Sequence, residues 1–154
     1  MKQATQPDIL TIGYEGTVIG HVVDALKRAG ATHLVDVRAI PQSRKPGFSK
    51  NLLAAAMAEA GLRYTHLRSL GTPKPGRDAA RKGDLATLHR VFVAHMQTLE
   101  AQADLARATA IAAEDRACLL CFERDHTQCH RSIVARLICD ATGQDITHLQ
   151  AEAP

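Results

Sequence analysis

The sequence predicts an α/β fold in which a single open, mainly parallel sheet carries helices on both faces, a Rossmann-like three-layer arrangement. Short apolar runs that read as strands alternate along the chain with segments of helical periodicity, and this alternation is typical of parallel strands joined by helical crossovers. Hydrophobic residues make up 45% of the 154 residues, but aromatic residues only 3%. Such a composition suits aliphatic helices packed on a buried sheet.

The predicted elements of the first half are bounded by capping residues, glycines and prolines. The first helix is amphipathic, because Val22, Val23 and Leu26 share one face. In chain order we predict a strand over 9–13, a helix over 18–29 capped by Thr17 and ended by Gly30, a strand over 33–37, a helix over 50–60 capped by Ser49 and ended by Gly61, and a strand over 62–67.

The second half begins with a run rich in Pro and Gly, LGTPKPGRD over 70–78, which predicts a loop. A long helical stretch follows from Asp84 to about Ala113, with a break near Ala103. After this stretch we predict a strand over 117–122, a helix over 131–142 that Gly143 ends, and a short strand over 146–149.

Length and composition limit the class of protein. A chain of 154 residues fits one domain over 1–154 that buries a core without disulfides. No run approaches the roughly 18 apolar residues of a membrane helix, and the start MKQATQPD lacks the apolar core of a signal peptide. We therefore expect a cytoplasmic protein with no membrane partner. Nothing in the sequence predicts its oligomeric state.

The charge of the chain is unevenly distributed. Residues 38–82 contain ten Lys or Arg residues against only Glu59 and Asp78, within a chain of net charge +3. A basic segment of this kind indicates a surface that meets anions. The alternative is a solvated helix and two loops whose charges serve solubility.

Polar side chains follow three of the predicted strands at their carboxyl ends. Tyr14 follows the first strand, Asp36 and Arg38 end the second, and Glu123 follows the strand over 117–122. In open α/β sheets, ligands bind outside these ends, at the point where the strand order reverses. We therefore expect the four residues to converge on one cleft.

The four cysteines all lie in the last quarter of the chain, which is not typical of a disulfide framework, so we expect reduced thiols. Because side chains alternate along a strand, Cys121 shares a side with Glu123, whereas Cys118 points to the opposite face. Cys139 lies within the last helix and is expected to pack in the core. The remaining cysteine is Cys129.

The segment Cys129-His130-Arg131-Ser132 lies at the predicted start of a helix. Unpaired backbone N–H groups and the helix dipole favour negative charge there, and Arg131 and Ser132 add donors that match phosphate or carboxylate. The same field should lower the pKa of the Cys129 thiol. The segment is therefore an anion site or the position of a nucleophile, with inert packing at a helix start as the alternative.

Cys121, Cys129 and His130 offer a further alternative, a metal or redox module, because thiolate and imidazole are zinc ligands. Structural zinc sites usually combine two pairs of closely spaced ligands, and this chain contains only part of one pair. We therefore predict no metal and no cofactor, and keep the metal or redox module as an alternative.

Five segments carry a family resemblance: TIGYEG, LVDVRAIPQSRKPGFSK, AEAGLRYTHLRSLG, LLCFERDHTQCHRSIVAR and DITHL, in this order over nearly the whole chain. Together they resemble the DUF488 family of small bacterial and archaeal proteins. The family's function is undefined, so the resemblance implies which positions form the site and little about its chemistry. The positions that match the family pattern are Tyr14, Gly16, Asp36, Arg38, Pro41, Ser43, Phe48, Gly71, Cys121, Glu123, Cys129, His130, Arg131 and His148.

We expect the protein to bind a phosphorylated small molecule or nucleotide at the strand-end cleft; the sequence leaves open whether it is an enzyme. If it is, Cys129 is the candidate thiolate nucleophile, and Glu123 or Asp36 would move protons. An alternative for Asp36 and Arg38 is a structural ion pair. The residues predicted to hold the ligand are Tyr14, Arg38, Ser43, His130, Arg131 and Ser132.

The basic segment supports a different class of function. Residues 38–82 could form the face of a non-catalytic module that binds nucleotides or nucleic acid, with Cys129 incidental. The two classes differ in salt dependence, because a protein that neutralises several phosphates loses affinity steeply as salt rises.

Overall fold

Five parallel strands form the centre of the structure, a computed structural model that describes residues 7–153. Two short 3₁₀ turns, Arg68–Leu70 and His126–Gln128, add to the regular elements. The strands are β1 (Ile9–Gly13), β2 (His33–Asp36), β3 (Arg63–His66), β4 (Ala117–Cys121) and β5 (Ile146–His148), and the helices are α1 (Ile19–Arg28), α2 (Lys50–Glu59), α3 (Lys74–Arg81), α4 (Leu85–His95), α5 (Leu99–Glu114) and α6 (Arg131–Thr142).

The sheet has the order β3-β2-β4-β1-β5, and all its strand pairs are parallel. Helices α1 and α2 cover one face, whereas α4, α5 and α6 cover the other. The predicted three-layer α/β fold is therefore confirmed, with a sheet that is wholly parallel. Among residues 7–153, no helix combines the length and the apolar character that crossing a bilayer requires.

Each face of the sheet has its own apolar cluster, because side chains alternate along the strands. On one face, Leu10 and Leu120 pack against α1 and α2; on the other, Ile9 and Leu119 pack against α4, α5 and α6. Burial on both faces explains why the central strands read as continuous apolar runs. Cys118 and Cys121 belong to opposite clusters, as their spacing predicts, and Cys139 packs with α5 and α6.

The first helix begins differently from the prediction. Thr17 does not cap it: the helix starts at Ile19, and the Thr17 hydroxyl donates to the carbonyl oxygen of Glu152 near the end of the chain. Ser49 precedes α2 as predicted, but its hydroxyl bonds to Ser43 instead of to the helix. Both hydroxyls therefore bond to residues outside the helices that they precede. A capping rule based on the local sequence does not predict such contacts.

The run over 70–78 was predicted as a loop, and this prediction is wrong for its second half. Helix α3 starts at Lys74 and places Pro75 in its first turn. A proline costs little there, because the first N–H groups of a helix have no partner within the helix. A proline at this position therefore fits the start of a helix as well as a loop.

The long helical stretch after Asp84 is two helices, and the break lies at 96–98 instead of near Ala103. Thr98 caps the second helix, since its hydroxyl accepts from the N–H of Ala101. Met96 is buried at the turn. Asp84 caps the first helix in the same manner, accepting from the N–H of Thr87.

Candidate functional site

The connections that follow the neighbouring strands β1 and β4 run in opposite directions across the sheet. From β1 the chain passes to β2 on one side, and from β4 it passes to β5 on the other. Such a reversal is where open α/β sheets bind ligands. A cleft of about 650 Å³ opens there.

The cleft brings together most of the residues that the sequence singled out. Asp36, Arg131 and Ser132 do not line it; they lie behind or beside it. The predicted residues that do line it are Tyr14, Arg38, Ser43, Cys121, Glu123, Cys129 and His130.

The loop after β4 lies directly on the end of β1. A Cβ atom on Gly13 would come 1.8 Å from the carbonyl oxygen of Glu123, so only glycine permits this approach. The backbone N–H of Glu15 donates to the carbonyl of Phe122 over 2.8 Å, and the Glu15 carboxylate accepts from the N–H of Arg124 over 3.0 Å. These contacts fix the loop that carries Glu123.

Asp36 and Arg38 form a buried ion pair beneath the cleft. Arg38 donates to the Asp36 carboxylate from Nε over 2.9 Å and from Nη2 over 2.7 Å. Asp36 also accepts from the hydroxyl of Tyr64 over 2.5 Å and from the backbone N–H of Arg38 over 3.1 Å, and it has no exposed surface. This carboxylate therefore has little capacity left for moving a substrate proton.

Tyr14 forms an aromatic wall of the cleft. Its ring stacks on Phe48 with centroids 4.3 Å apart and meets Phe122 edge-on at 5.3 Å. Arg38 donates from Nη1 to the Tyr14 hydroxyl oxygen over 3.1 Å and to the carbonyl of Phe48 over 2.7 Å. Among residues 7–153, the Tyr14 O–H group donates to no protein acceptor.

Cys121 and Cys129 meet at the floor of the cleft, where the structure joins them as a disulfide. Their Cα atoms lie 7.5 Å apart, beyond the roughly 4.4–6.8 Å of most disulfides. This backbone spacing fits two neighbouring thiols better than it fits a disulfide. The sequence predicted reduced thiols and did not predict this proximity, because the path of the loop between them has no periodic pattern.

His130 is buried beside Cys129 with one defined tautomer. Its Nε2 donates to the carbonyl of Val37 over 2.8 Å, which leaves the lone pair of Nδ1 facing the Cys129 sulfur at 3.7 Å. Burial lowers the pKa of His130 to about 4. The imidazole is therefore neutral at physiological pH and acts as a hydrogen-bond acceptor beside the thiol.

The buried state of His130 predicts a loss of stability in acid. Its folded pKa of about 4 lies below the ordinary value of about 6.5, so the unfolded chain binds the proton first and stability falls as pH drops through this window. We expect the free energy of unfolding to fall by about 2 kcal/mol between pH 7 and pH 5 through this residue. Urea unfolding at both values measures it.

His130→Gln is the matched control, because a glutamine amide can reach Val37 without titrating. We expect a smaller pH dependence in this variant. An unchanged difference between pH 7 and pH 5 in His130→Gln would assign the acid sensitivity to other groups, such as His148, whose pKa burial also lowers to about 4.

Arg131 is fully buried and does not point into the cleft. Its Nη1 donates to the carbonyl of Glu123 and lies 3.3 Å from the Cys121 sulfur, and its Nη2 donates to the carbonyl of Arg124 over 3.3 Å. The guanidinium thus holds the loop after β4 from behind. Ser132 also serves the local structure, since its hydroxyl lies 2.8 Å from the carbonyl of His126 and 3.0 Å from that of Cys129.

The Glu123 carboxyl group lies beside the Cys121 sulfur. Its Oε2 lies 3.4 Å from the Cys121 sulfur. Burial raises the pKa of this carboxyl above its ordinary value. A carboxyl with a raised pKa keeps its proton to a higher pH than usual, which suits a general acid.

Two cleft residues that the sequence did not single out are Arg77 and Arg81 on α3. They are four residues apart and therefore lie on the same face of the helix. Arg77 donates to the carbonyl of Thr72 over 2.8 Å, and Arg81 lies 3.6 Å from Asp78 in an exposed ion pair. Their spacing could have identified them, had the segment been read as a helix.

The basic segment over 38–82 does not form one surface. Arg38 is buried in its ion pair, and Arg63 starts β3 at the opposite end of the sheet, where it lies 3.5 Å from Asp115. Arg77 and Arg81 line the cleft. The positive charge is therefore divided among separate places.

Comparison with protein families decides the classification. The model of the domain of unknown function DUF488 matches residues 19–138, which is most of the chain. The protein belongs to the DUF488 family. The match includes Asp36, Arg38 and Cys129, whereas Tyr14, Gly16 and His148, which also fit the DUF488 pattern, lie outside it. No significant match to this DUF488 chain was found among curated proteins or solved structures.

Proposed function

We propose that the protein is an enzyme that binds a phosphorylated small molecule or nucleotide in the cleft and acts on it through the Cys129 thiolate. The observation that carries the proposal is the position of Cys129. Its sulfur lies at the start of α6, 3.5 Å from the backbone N–H of Arg131, and lines the cleft. A helix start and a nearby N–H group stabilise a thiolate.

The charge of the cleft supports an anionic ligand. Arg77 and Arg81 line it beside the Arg38–Asp36 ion pair, and the acidic residues of the lining are Glu15 and Glu123. Guanidinium groups match phosphate geometry well. A volume of about 650 Å³ lies within the roughly 300–1,000 Å³ of small-molecule sites. In this arrangement the α3 arginines hold the anion, in place of the deeply buried Arg131.

Proton transfer in this mechanism falls to Glu123. Asp36 is occupied by Arg38 and Tyr64, and His130 is a weak base because burial lowers its pKa to about 4. Glu123 lies at the cleft with a raised pKa. It can protonate a leaving group as the Cys129 sulfur attacks, and then deprotonate the water that releases the product.

Alkylation of the reduced protein tests the proposal. We expect Cys129 to react with iodoacetamide well below pH 8.5, the usual thiol value, and inorganic phosphate or a nucleotide mixture to slow this reaction several-fold. Peptide mass spectrometry assigns the site. Cys139 is the internal control, because it is similarly buried but lies in the core near α5.

The opposite result has a clear meaning. If Cys129 reacts only above pH 8.5 and is indifferent to phosphate and to nucleotides, the Cys-His-Arg turn serves the structure alone. Cys129→Ser provides a second check, since it should still bind the anion but lose turnover of phosphorylated compounds.

A metal centre is a second candidate, favoured by one observation. The ligand atoms of Cys121, Cys129 and His130 all lie within 4.8 Å of one another. His130 donates its other ring nitrogen to a backbone carbonyl, as metal-bound histidines usually do. The Arg131 guanidinium lies 3.3 Å from the Cys121 sulfur. This positive charge argues against a metal centre, because it would repel a metal ion bound to Cys121. Zinc below stoichiometry after purification without chelator would remove this candidate.

A further inference from the structure

We propose that Cys121 is a second catalytic thiolate, which resolves oxidised Cys129, so that the site reduces hydroperoxides and closes as the Cys121–Cys129 disulfide. This inference rests on the Cys129 thiolate of the proposed function, but not on the identity of the anionic ligand. It gives a role to Cys121 and Arg131, which the phosphoryl chemistry does not use.

The Arg131 guanidinium is a buried positive charge beside the Cys121 sulfur. Arg131 is fully buried, and an arginine stays protonated in proteins. Among residues 7–153, no carboxylate forms an ion pair with it. Its Nε has no hydrogen-bond partner there either. An uncompensated buried charge is costly, so the site favours a negative partner.

Cys121 is the group placed to supply that negative charge. Its sulfur lies 3.3 Å from Nη1 of Arg131, and a neighbouring arginine stabilises a thiolate. The Cys121 thiol proton has an acceptor at hand, because Oε2 of Glu123 lies 3.4 Å from the sulfur. These two contacts favour the thiolate form of Cys121, whose sulfur faces Cys129 across the floor of the cleft.

The two cysteines are attached to elements of different kinds. Cys121 ends the central strand β4, whereas Cys129 follows a short 3₁₀ turn in the loop before α6. A Cα separation of 7.5 Å lets both thiols stand side by side in the reduced state. Both line the cleft, so a small oxidant can reach them.

The reaction has two balanced steps. The Cys129 thiolate attacks the terminal oxygen of a hydroperoxide; an S–O bond forms, the O–O bond breaks, and the products are a Cys129 sulfenic acid and an alkoxide or hydroxide. The Cys121 thiolate then attacks the Cys129 sulfur and forms the S–S bond. The alkoxide or hydroxide of the first step is protonated from solvent, which received the Cys129 proton, and the hydroxide of the second step takes the proton that Cys121 gave to Glu123. The thiolates have lost two electrons, and two equivalents of an external thiol return them and become a disulfide.

Stoichiometric oxidation tests the inference on the full chain. The protein is reduced, freed of reductant, treated with one equivalent of hydrogen peroxide, alkylated and mapped by mass spectrometry. We expect the wild type to lose both alkylatable thiols, Cys121 and Cys129, as one disulfide. In Cys121→Ser we expect a Cys129 sulfenic acid that a dimedone probe traps, and in Cys129→Ser an unoxidised Cys121.

Arg131→Met tests the positioning role of the guanidinium. Methionine keeps much of the packing and removes the charge, and we expect Cys121 alkylation to shift to higher pH and disulfide formation to slow at least tenfold. Cys139→Ser, away from the cleft, should behave as the wild type. Circular dichroism confirms that each variant is folded. A folded Arg131→Met with unchanged alkylation and disulfide formation would remove Arg131 from the proposal.

Two results overturn the whole inference. One is over-oxidation of Cys129 in the wild type while Cys121 stays alkylatable. The other is stoichiometric zinc that protects both thiols. A different result would show that only the proposed function is wrong. In that case phosphate and nucleotides would neither shield Cys129 nor be turned over, but peroxide would still join the two cysteines.

Discussion

Replacing Asp36 by alanine is expected to lower the free energy of unfolding by about 3–5 kcal/mol. The substitution leaves the Arg38 guanidinium buried without its counter-ion, since Asp36 accepts from both Nε and Nη2 of that arginine. It also leaves the Tyr64 hydroxyl without its acceptor. Urea unfolding followed by circular dichroism measures the loss.

Two variants make the Asp36 result specific. Asp24→Ala removes an exposed carboxylate from α1 and should change stability by less than about 0.5 kcal/mol. The double variant Asp36→Ala/Arg38→Met removes both charges and should be more stable than Asp36→Ala alone, because no uncompensated ion remains. A loss below about 1 kcal/mol in Asp36→Ala would show that water reaches this pair.

Gly13→Ala is expected to have the second largest effect, about 3 kcal/mol or more of lost stability. The new Cβ would lie 1.8 Å from the carbonyl oxygen of Glu123 and 2.6 Å from its carbonyl carbon. Both are backbone atoms, so the clash cannot be relieved by a side-chain rotation. The loop after β4 must move, and we expect the Cys121–Cys129 disulfide to form more slowly as well.

Gly20→Ala is the matched control for this prediction. Gly20 lies in α1, and a Cβ there would meet nothing within 4 Å. We expect this variant to be as stable as the wild type or up to about 1 kcal/mol more stable, since alanine favours a helix interior. Equal stability of Gly13→Ala and Gly20→Ala would mean that the loop accommodates a methyl group, contrary to the packing described above.

The sequence predicts the sheet well because its signals are local. Buried parallel strands appear as apolar runs. Gly30 and Gly143 adopt left-handed φ values of 73° and 79°, two residues after the end of α1 and directly after α6. Helix ends that depend on tertiary contacts are not predictable in this way. Thr17 bonds to Glu152, 135 residues further along the chain, so its absence from the cap has no local signal.

The same distinction holds for the candidate site. The ends of parallel strands had to meet, which is why Tyr14, Arg38 and Glu123 could be placed on one cleft from the sequence. The direction of the Arg131 side chain could not be predicted, because it depends on the course of the loop from 122 to 130. A cationic residue at a helix start suggests an anion site at the surface. The packing shows instead that Arg131 is buried and contacts the Cys121 sulfur.

The residues that line the cleft come from two layers of the protein, the sheet and a helix beside it. The cysteines and Tyr14 follow sheet strands, whereas Arg77 and Arg81 stand on α3, none of whose eight residues joins either apolar cluster. Gly76 lets α3 pack closely on α4, because a Cβ atom at this position would lie 3.2 Å from the Val91 side chain. Substitutions in α3 can therefore change the charge that lines the cleft without disturbing either apolar cluster. Under the proposed function, the fold separates the side chains that would select the ligand from the cysteines that would react with it.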